Sequence, residues 1–283
     1  MEALRTSDAV LPTVTDAITA QVLAVEPLRT RVLANFGVGV NHIDVAAARA
    51  RGMVVTNTPD VLTDDTADLA IALMLMVARR LGEGERELRA GTWTGWRPTH
   101  LVGRTLHGRR LGIIGYGRIG RAVAARARQA FGMPVRFVTG SSGSPAAQGD
   151  ENAEPASSLE ALLEESEIVS LHCPLTPETH HLMNADRIGR MPRGAILINT
   201  ARGPVVDELA LIAALRSGHL FGAGLDVYEH EPRVPTELVA LENVVLLPHL
   251  GSATEETRIA MGMRAVQNIV RFFDGDQPLD TVG

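Results

Sequence analysis

Short runs of apolar residues alternate with amphipathic, helix-like segments along nearly the whole chain. The segments carry helix signals: Asp207 is a potential N-cap for a helix over 208–216 that Gly218 would end, and residues 157–160 offer a capping box. This alternation predicts parallel sheets with helices on both faces, an α/β fold. The runs that we predict to be strands cover residues 9–11, 31–35, 53–56, 112–114, 135–138, 168–172, 195–198, 223–227 and 244–247.

Three segments depart from the alternation. Residues 69–81 are almost all apolar, which is typical of a helix in a buried core or at a subunit contact. Residues 91–98, which include Trp93 and Trp96, predict an arm that projects from the fold. Residues 141–155 are rich in Gly, Ser, Pro and Ala and predict a surface loop.

The composition excludes several classes of protein. A chain of 283 residues with a net charge of −6 can form two modest domains, and its charge gives no reason to expect nucleic acid or an acidic membrane as a partner. Its single cysteine, Cys173, rules out an internal disulfide and suits a reducing compartment. No run approaches the roughly 20 apolar residues of a membrane helix, and the first residues do not resemble a secretory signal. We therefore expect a cytoplasmic protein.

Lysine is absent, because every basic residue of the chain other than histidine is arginine. This absence excludes Schiff-base chemistry, pyridoxal phosphate enzymes and the lysine of the phosphate-binding P-loop. It also excludes the short-chain dehydrogenases, in which a lysine assists the catalytic tyrosine.

A glycine motif predicts a dinucleotide site. Gly115, Gly117 and Gly120 form a G-x-G-x-x-G pattern, which is weak evidence alone. Here the pattern follows the predicted strand 112–114 and opens a predicted helix over 118–131, which is the context that the motif requires. The first glycine permits a tight turn, the second lets a pyrophosphate approach the backbone, and the third allows close packing of helix on strand.

The next predicted strand indicates which dinucleotide. NAD sites usually place an acidic residue at the end of that strand to bind the ribose 2′-hydroxyl. No acidic residue occurs between Leu88 and Gly149, and hydroxyl groups of Thr139, Ser141 and Ser142 follow the strand instead. We therefore predict that NADP(H) is preferred. NAD(H) stays open, because no arginine in the loop would bind the 2′-phosphate.

Three further predicted strands end near residues suited to a carbonyl acid, namely Arg202, Asp226 and His249. The arginine fork can bind a carboxylate, and histidine can exchange a proton near neutral pH. Glu231 would orient the histidine ring and favour its charged form. Each residue alone is more often structural, so the prediction depends on the strand ends meeting at one edge of a parallel sheet.

The ordered motifs resemble those of the D-isomer-specific 2-hydroxyacid dehydrogenases. They are Asn35-Phe36-Gly37-Val38-Gly39, Thr56-Asn57-Thr58-Pro59, Leu171-His172-Cys173-Pro174-Leu175-Thr176, Asn199-Thr200-Ala201-Arg202-Gly203, Gly224-Leu225-Asp226-Val227-Tyr228-Glu229-His230-Glu231-Pro232 and Leu247-Pro248-His249-Leu250-Gly251-Ser252. The resemblance implies that Arg202 binds substrate, with the amides of Val38 and Gly39, and that Glu231 pairs with the catalytic base His249. It also implies cofactor contacts at Gly115, Gly117, Arg118, Ile119, Gly120, Thr139, Ser141, Ser142, Cys173, Pro174, Thr179, Thr200, Ala201, Asp226, His249 and Gly251.

The resemblance also implies a domain organisation. We expect two Rossmann-like or flavodoxin-like domains: a split substrate domain over 1–61 and 254–283, and a dinucleotide domain over 62–253 that carries the arm. The last helix, over 254–273, would return to the substrate domain. Relatives normally begin with a further strand and helix, so we expect an N-terminally truncated substrate domain. They commonly form homodimers through the arm.

Within this family the sequence is most similar to glyoxylate and hydroxypyruvate reductases, which implies NAD(P)H-dependent reduction of small 2-oxo acids to D-2-hydroxy acids. Glu231 argues against formate dehydrogenases, which carry glutamine there. Two alternatives stay open: a dinucleotide-sensing, corepressor-like binding protein without turnover, and a D-3-phosphoglycerate dehydrogenase-like enzyme. His180 and His181 have no partner at ligand spacing in the sequence, so we predict no metal site.

Overall fold

The computed structural model describes residues 1–140 and 150–282. The chain divides into two compact units: unit 1 is Met1–Thr63 with Ser252–Gly283, and unit 2 is Asp64–Gly251. The predicted α/β class is confirmed, because all strand pairs in the sheets of the described residues are parallel. Within that part of the chain, no helix combines the length and the apolar character needed to cross a membrane.

Unit 1 contains a three-stranded sheet in the order β1-β2-β3 within the described residues. Its strands are β1 (Ala9–Val10), β2 (Val32–Ala34) and β3 (Val54–Thr56). Its helices are α1 (Glu2–Thr6), α2 (Ala20–Leu23), α3 (Val45–Ala50) and α11 (Glu255–Asp274). Successive β2 side chains enter different core clusters: Leu33 packs in the cluster that contains Leu23, while Val32 and Ala34 pack with Ala265 of α11. The alternation of side chains along a strand thus covers both faces of this sheet.

Unit 2 contains a seven-stranded parallel sheet within the described residues, in the order β10-β9-β8-β7-β4-β5-β6. Along the chain, the strands run outward from β4 to β5 and β6 on one side and then from β7 to β10 on the other. Such a reversal places a ligand crevice at the carboxyl ends of β4 and β7. The strands are β4 (Leu111–Ile114), β5 (Val135–Val138), β6 (Glu154–Pro155), β7 (Ile168–Leu171), β8 (Ala195–Asn199), β9 (Leu220–Leu225) and β10 (Val244–Leu246).

Helices supply buried side chains to two core clusters that share the strands of this sheet. The first cluster includes Leu73 and Met74 of α4 and Val123 of α6, and the second includes Leu162 of α7 and Leu211 of α9. Burial on both sides explains why the central strands read as nearly continuous apolar runs. The helices are α4 (Thr63–Ala78), α5 (Leu81–Arg89), α6 (Arg118–Phe131), α7 (Leu159–Glu165), α8 (Ala185–Arg190), α9 (Glu208–Arg216) and α10 (Thr236–Val239), with a short 3₁₀ helix at Gly203–Val205.

Side-chain caps define several helix starts. Asp207 accepts a hydrogen bond from the Ala210 amide at 3.0 Å and starts α9, as predicted. Ser158 accepts one from the Ala161 amide at 3.0 Å and starts α7. The predicted capping box over 157–160 is wrong, because Ser158 and not Ser157 is the N-cap and the third helical residue, Ala161, has no side chain that could complete a box. The predicted apolar helix over 69–81 agrees with α4 only as far as Ala78: α4 begins at Thr63, the left-handed residue Arg80 interrupts the helix, and Leu81 begins α5.

Candidate active site

The carboxyl ends of five neighbouring strands of unit 2 lie at one edge of its sheet. Each end leads into a segment that carries predicted site residues: β4 into Gly115, β7 into Cys173, β8 into Arg202, β9 into Asp226 and β10 into His249. Because the strands are parallel and adjacent, residues distant in sequence come together here.

The turn between β4 and α6 has the backbone of a phosphate-binding motif. Gly115 has a φ of 95°, and a Cβ there would overlap the backbone amide of Cys173. A Cβ at Gly120 would overlap the carbonyl oxygen of Gly115. A Cβ at Gly117 would have no heavy atom within 4 Å, so this glycine keeps space open at the start of α6. The residues therefore fit a pyrophosphate at a helix N-terminus, where Arg118 and Ile119 form the first turn.

The segment after β7 also lies at the reversal of strand order. Cys173 is buried, and burial raises the pKa of its thiol to about 11, so the thiol is not ionised near neutral pH. Thr179 closes the next turn: its hydroxyl donates to the carbonyl oxygen of Pro174 at 2.7 Å and accepts from the Thr176 amide at 2.8 Å. Cys173 is therefore a buried residue, whereas Pro174 is exposed on a turn that the Thr179 hydrogen bonds hold in place.

Thr200 is joined to this segment through a histidine that sequence reasoning did not identify. Thr200 Oγ1 lies 3.4 Å from His172 Nδ1, and Ser170 Oγ lies 2.9 Å from His172 Nε2. Burial lowers the pKa of His172 to about 3, so the ring is neutral near pH 7. A neutral ring bonded on both nitrogens fixes the hydroxyl of Thr200 beside the crevice.

Of the three hydroxyl residues predicted to contact the cofactor after β5, only one lies in the described part of the chain. Thr139 follows β5 and is partly exposed, while Ser141 and Ser142 lie outside the described residues. An unpredicted pair stands nearby: the Tyr116 hydroxyl donates to Asp150 Oδ2 at 2.9 Å, and the Tyr116 ring stacks on Phe137 at 3.9 Å. Sequence spacing gave no signal for this pair.

The side chains of His249 and Glu231 lie within hydrogen-bond distance, as the predicted pairing requires. His249 Nδ1 lies 2.9 Å from Glu231 Oε2, and the Tyr228 amide donates to Glu231 Oε1 at 3.1 Å. His249 has a φ of 57°, a left-handed conformation uncommon for a residue other than glycine. Its amide donates to the Asp226 carbonyl at 2.9 Å, which holds the backbone in this conformation. The Nε2 atom is left as the ring nitrogen that can face a substrate.

Asp226 is 1% exposed and organises the backbone after His249. Its carboxylate accepts hydrogen bonds from the Leu250 amide at 2.6 Å and the Gly251 amide at 2.8 Å. Burial raises the pKa of Asp226, although these amides and His249 act in the opposite direction. Asp226 and Gly251 are thus neighbours, and they fix the turn that presents His249.

Arg202 lies in a tight turn that Asn199 stabilises. The Asn199 side chain accepts from the Ala201 amide and donates to the Arg202 carbonyl, both at 3.0 Å. A Cβ at Gly203 would overlap the backbone of Tyr228, so glycine allows the Arg202 turn to pack against the segment that leads to Glu231. Asn199 was not predicted as a site residue, although it stands in the quoted family motif.

The charges of the three predicted catalytic residues interact. Burial acts to raise the pKa of Glu231, but the hydrogen bond and charge of His249, the Tyr228 amide and the charge of Arg202 outweigh it, and the pKa lies below its ordinary value. Burial lowers the pKa of Arg202 while Glu231 acts to raise it. A guanidinium stays charged under these conditions. Unit 2 therefore brings together a cation, a carboxylate and an imidazole.

Val38 and Gly39 lie in unit 1, in the turn after β2. Asn35 Nδ2 donates to the carbonyl oxygens of Gly37 at 2.9 Å and Gly39 at 3.1 Å, and Asn57 Nδ2 donates to the Val38 carbonyl at 2.8 Å. The carbonyls of this turn are thus bonded within unit 1. The binding of a substrate carboxylate by the two amides stays a prediction.

The fold supplies His180 and His181 with a partner that local sequence spacing does not show. The structure brings Glu229 to the adjacent residues His180 and His181, with His181 Nε2 2.5 Å from Glu229 Oε1. The partner is 48 residues away in sequence, so local spacing could not identify it.

Comparison with known proteins identifies the family. The model of the NAD binding domain of D-isomer specific 2-hydroxyacid dehydrogenases matches residues 71–251. A glyoxylate reductase from Thermococcus litoralis is 45% identical over 286 residues, which cover 100% of this chain and 85% of that protein. The chain belongs to the D-isomer specific 2-hydroxyacid dehydrogenase family. Unit 2 is accordingly the dinucleotide-binding part, and its cofactor is a nicotinamide dinucleotide.

Two solved structures that are similar to this chain have the same fold. The NADPH-dependent glyoxylate/hydroxypyruvate reductase from Sinorhizobium meliloti, in complex with NADP and malonate, is 38% identical with a TM-score of 0.90 over 100% of this chain and 86% of that one. A D-lactate dehydrogenase from Aquifex aeolicus, complexed with NAD and lactic acid, is 31% identical with a TM-score of 0.86 over 97% of this chain and 85% of that one. Similar proteins of this fold have thus been solved with either dinucleotide.

Proposed function

We propose that this chain reduces small 2-oxo acids of the glyoxylate and hydroxypyruvate type, and that chiral products are D-2-hydroxy acids. The observation that carries the proposal is the 2.9 Å contact between His249 Nδ1 and Glu231 Oε2, which stands with Arg202 at the sheet edge that also carries the glycine turn. The full-length similarity to glyoxylate reductases supports this substrate class.

In this mechanism each residue has a separate task. Arg202 binds the substrate carboxylate through its fork. When bound, the reduced nicotinamide supplies the hydride for the carbonyl carbon. His249, charged and oriented by Glu231, donates the proton on Nε2 to the carbonyl oxygen. The His249 side chain is 31% exposed, so solvent can return the proton afterwards.

We also propose that NADP(H) is the preferred cofactor. No acidic side chain occurs among residues 132–140, which contain β5 and the start of the following loop. The first acid after that loop, Asp150, has its carboxylate bonded to Tyr116 and Asn152. Neither feature supplies the carboxylate that would repel a 2′-phosphate. The NADP complex of the S. meliloti relative supports this preference.

We further propose a homodimer in the cytoplasm. The segment from α5 through residue 104 exposes several large apolar side chains, a pattern that marks interaction surfaces. They are Leu81, Leu88, Trp93, Trp96 and Val102. The single buried cysteine, Cys173, suits a reducing compartment.

A steady-state assay of the wild type tests the activity. Glyoxylate, hydroxypyruvate, pyruvate and phenylpyruvate are each offered with NADPH and with NADH. We expect the highest kcat/KM for one of the first two substrates with NADPH. Cofactor binding without turnover of any substrate would contradict the proposal and favour a sensing protein.

A variant of His249 tests whether the reaction depends on this site. We expect His249→Ala to lower kcat/KM at least roughly 10²-fold, the lower range of acid–base contributions. His107→Ala, which removes an exposed histidine elsewhere in unit 2, is the matched control and should keep wild-type turnover. Near-normal turnover of His249→Ala would exclude the assignment.

A further inference from the structure

We propose that His180, His181 and Glu229 form a binding site for a divalent first-row transition ion such as Zn²⁺. One ligand atom from each side chain lies within 4.8 Å of the other two. Two imidazoles and a carboxylate are a ligand set that zinc accepts, and a water would complete four-coordination. We call these three residues the His–His–Glu cluster.

The cluster is separate from the proposed catalytic residues and is assembled from two segments of unit 2. The histidines end the turn after Pro174, and Glu229 begins the segment that leads to Glu231. The His180 and His181 rings stack with centroids 4.1 Å apart, and one nitrogen of each ring lies within 4.8 Å of the other and of a Glu229 carboxylate oxygen. His180 is exposed and His181 partly exposed, which leaves a path for an ion from solvent.

Hydrogen bonds outside the cluster position its carboxylate. Glu229 Oε2 accepts from the Glu208 amide at 3.3 Å, while the Glu229 amide donates to Glu208 Oε1 at 2.9 Å. The second oxygen, Oε1, is thereby directed at His181 Nε2. Such outer contacts orient a metal ligand before the ion arrives.

The backbone of His181 is also fixed. Its amide donates to the carbonyl of Pro204 at 2.8 Å, and its φ of 48° is left-handed. A histidine held in this uncommon conformation next to a second histidine requires a reason, and presentation of both rings to Glu229 supplies one.

The geometry admits an ion after a small adjustment. Metal–ligand distances of about 2.0–2.2 Å would separate His181 Nε2 and Glu229 Oε1 to roughly 3.3 Å in a tetrahedral site, compared with 2.5 Å now. The His181 side chain is 36% exposed and can move that far. The bound ion would join the turn after β7 to the segment that carries Glu231, which makes it a structural ion for the active-site edge.

Metal binding to the purified, chelator-treated protein tests the proposal. ZnCl₂ is titrated by calorimetry, and Co²⁺ is titrated by visible absorption, because tetrahedral Co²⁺ has strong d–d bands. We expect one ion per chain, with an affinity at least roughly tenfold lower in His181→Ala and in Glu229→Gln, the smallest effect typical even of outer-contact changes. His180→Ala alters only an exposed side chain and serves as the variant least able to disturb folding.

Two controls make the outcome decisive. His107→Ala should bind Zn²⁺ as the wild type does, and so should His249→Ala if the ion is not on the catalytic pair. The proposal is overturned if the wild type binds no stoichiometric ion, if the cluster variants bind as tightly as the wild type, or if only His249→Ala loses binding. None of these results depends on the 2-oxo acid activity.

Discussion

At the residue scale, the proposed proton donor depends on a carboxylate that stays ionised. Glu231 has its pKa lowered below the ordinary value near 4.3, so it is charged throughout the neutral range. Its stabilising effect on a protonated His249 is therefore present above that value and is lost only as the pH falls through the lowered pKa.

Glu231→Gln should change the pH dependence of reduction. The amide keeps the shape of the carboxylate but removes the negative charge that stabilises an imidazolium at His249. We expect the high-pH limb of the kcat/KM profile to move down by about 1 pH unit or more, the scale of an adjacent opposite charge. Profiles of the wild type, Glu231→Gln and Glu237→Gln measure this; Glu237 is an exposed acid and the matched control. An unmoved limb in Glu231→Gln would contradict the pairing.

The variant Arg202→Lys tests whether substrate binding needs only the positive charge of Arg202 or also the forked shape of its guanidinium. Lysine keeps the positive charge but cannot form two parallel hydrogen bonds with a carboxylate. We expect KM for glyoxylate to rise roughly tenfold or more, the loss of one charge-assisted hydrogen bond, with the melting temperature nearly unchanged. Arg216→Lys, at the exposed end of α9, is the control. Equal KM values in both variants would argue against a fork at Arg202.

At the element scale, we expect two glycines of the turn between β4 and α6 to have different roles, one in stability and one in cofactor binding. Gly115 has no room for a Cβ beside Cys173, whereas Gly117 has open space. We expect Gly115→Ala to lower the melting temperature markedly. Gly117→Ala should keep the wild-type melting temperature and weaken NADPH binding, because its methyl group occupies the space left for the pyrophosphate.

The measurements for this pair are thermal denaturation without ligand and NADPH titration by fluorescence. Gly189→Ala is the control, since a Cβ there also meets nothing within 4 Å but lies in α8. A Gly117→Ala protein that binds NADPH as tightly as Gly189→Ala would show that the phosphate does not approach this glycine.

The longer helices and the apolar strands could be predicted from sequence, whereas the shortest helices and β6 could not. The predicted bounds of α6 are the observed ones, since Gly117 and Gly132 flank a clear helical period. The helices α1, α2 and α10 have only four or five residues and β6 has two, which is too short for a periodic pattern to be detected. The short strand β6 lies inside the predicted loop 141–155 and exists because it pairs with β5.

The shift of β9 shows a physical limit of strand prediction. The sequence predicts 223–227, but the strand is Leu220–Leu225. Gly222 disfavours a strand in isolation, yet a Cβ there would lie 2.6 Å from the Asn243 carbonyl, so the close packing of the sheet needs glycine. Asp226 leaves the strand because its carboxylate bonds to the amides after His249, a contact invisible in local sequence.

At the scale of the whole molecule, the motifs indicated the candidate site residues of unit 2, whose roles stay predictions, but not the contacts that support them. The motifs imply roles for Arg202, Glu231 and His249. They imply none for His172 and Glu229, which also stand in motifs, or for Asp150, because these three act through partners that only the fold brings near. The reaction requires particular side chains at the motif positions, so these residues can be recognised in a single sequence. A supporting residue is defined by where it lies in the fold, and a single sequence does not show that position.

The exposed apolar side chains after α5 carry the last prediction, which concerns assembly. Trp96 is 82% and Trp93 51% exposed, and water contact at two tryptophans is costly unless a second copy covers them. We expect the wild type to be a dimer by light scattering, and the double variant Trp93→Ala/Trp96→Ala to shift toward monomer with a higher dissociation constant. Leu209→Ala, which trims a side chain that is 78% exposed on α9, should leave the dimer intact. A wild-type monomer, or a double variant as dimeric as Leu209→Ala, would mean that this segment does not join two chains.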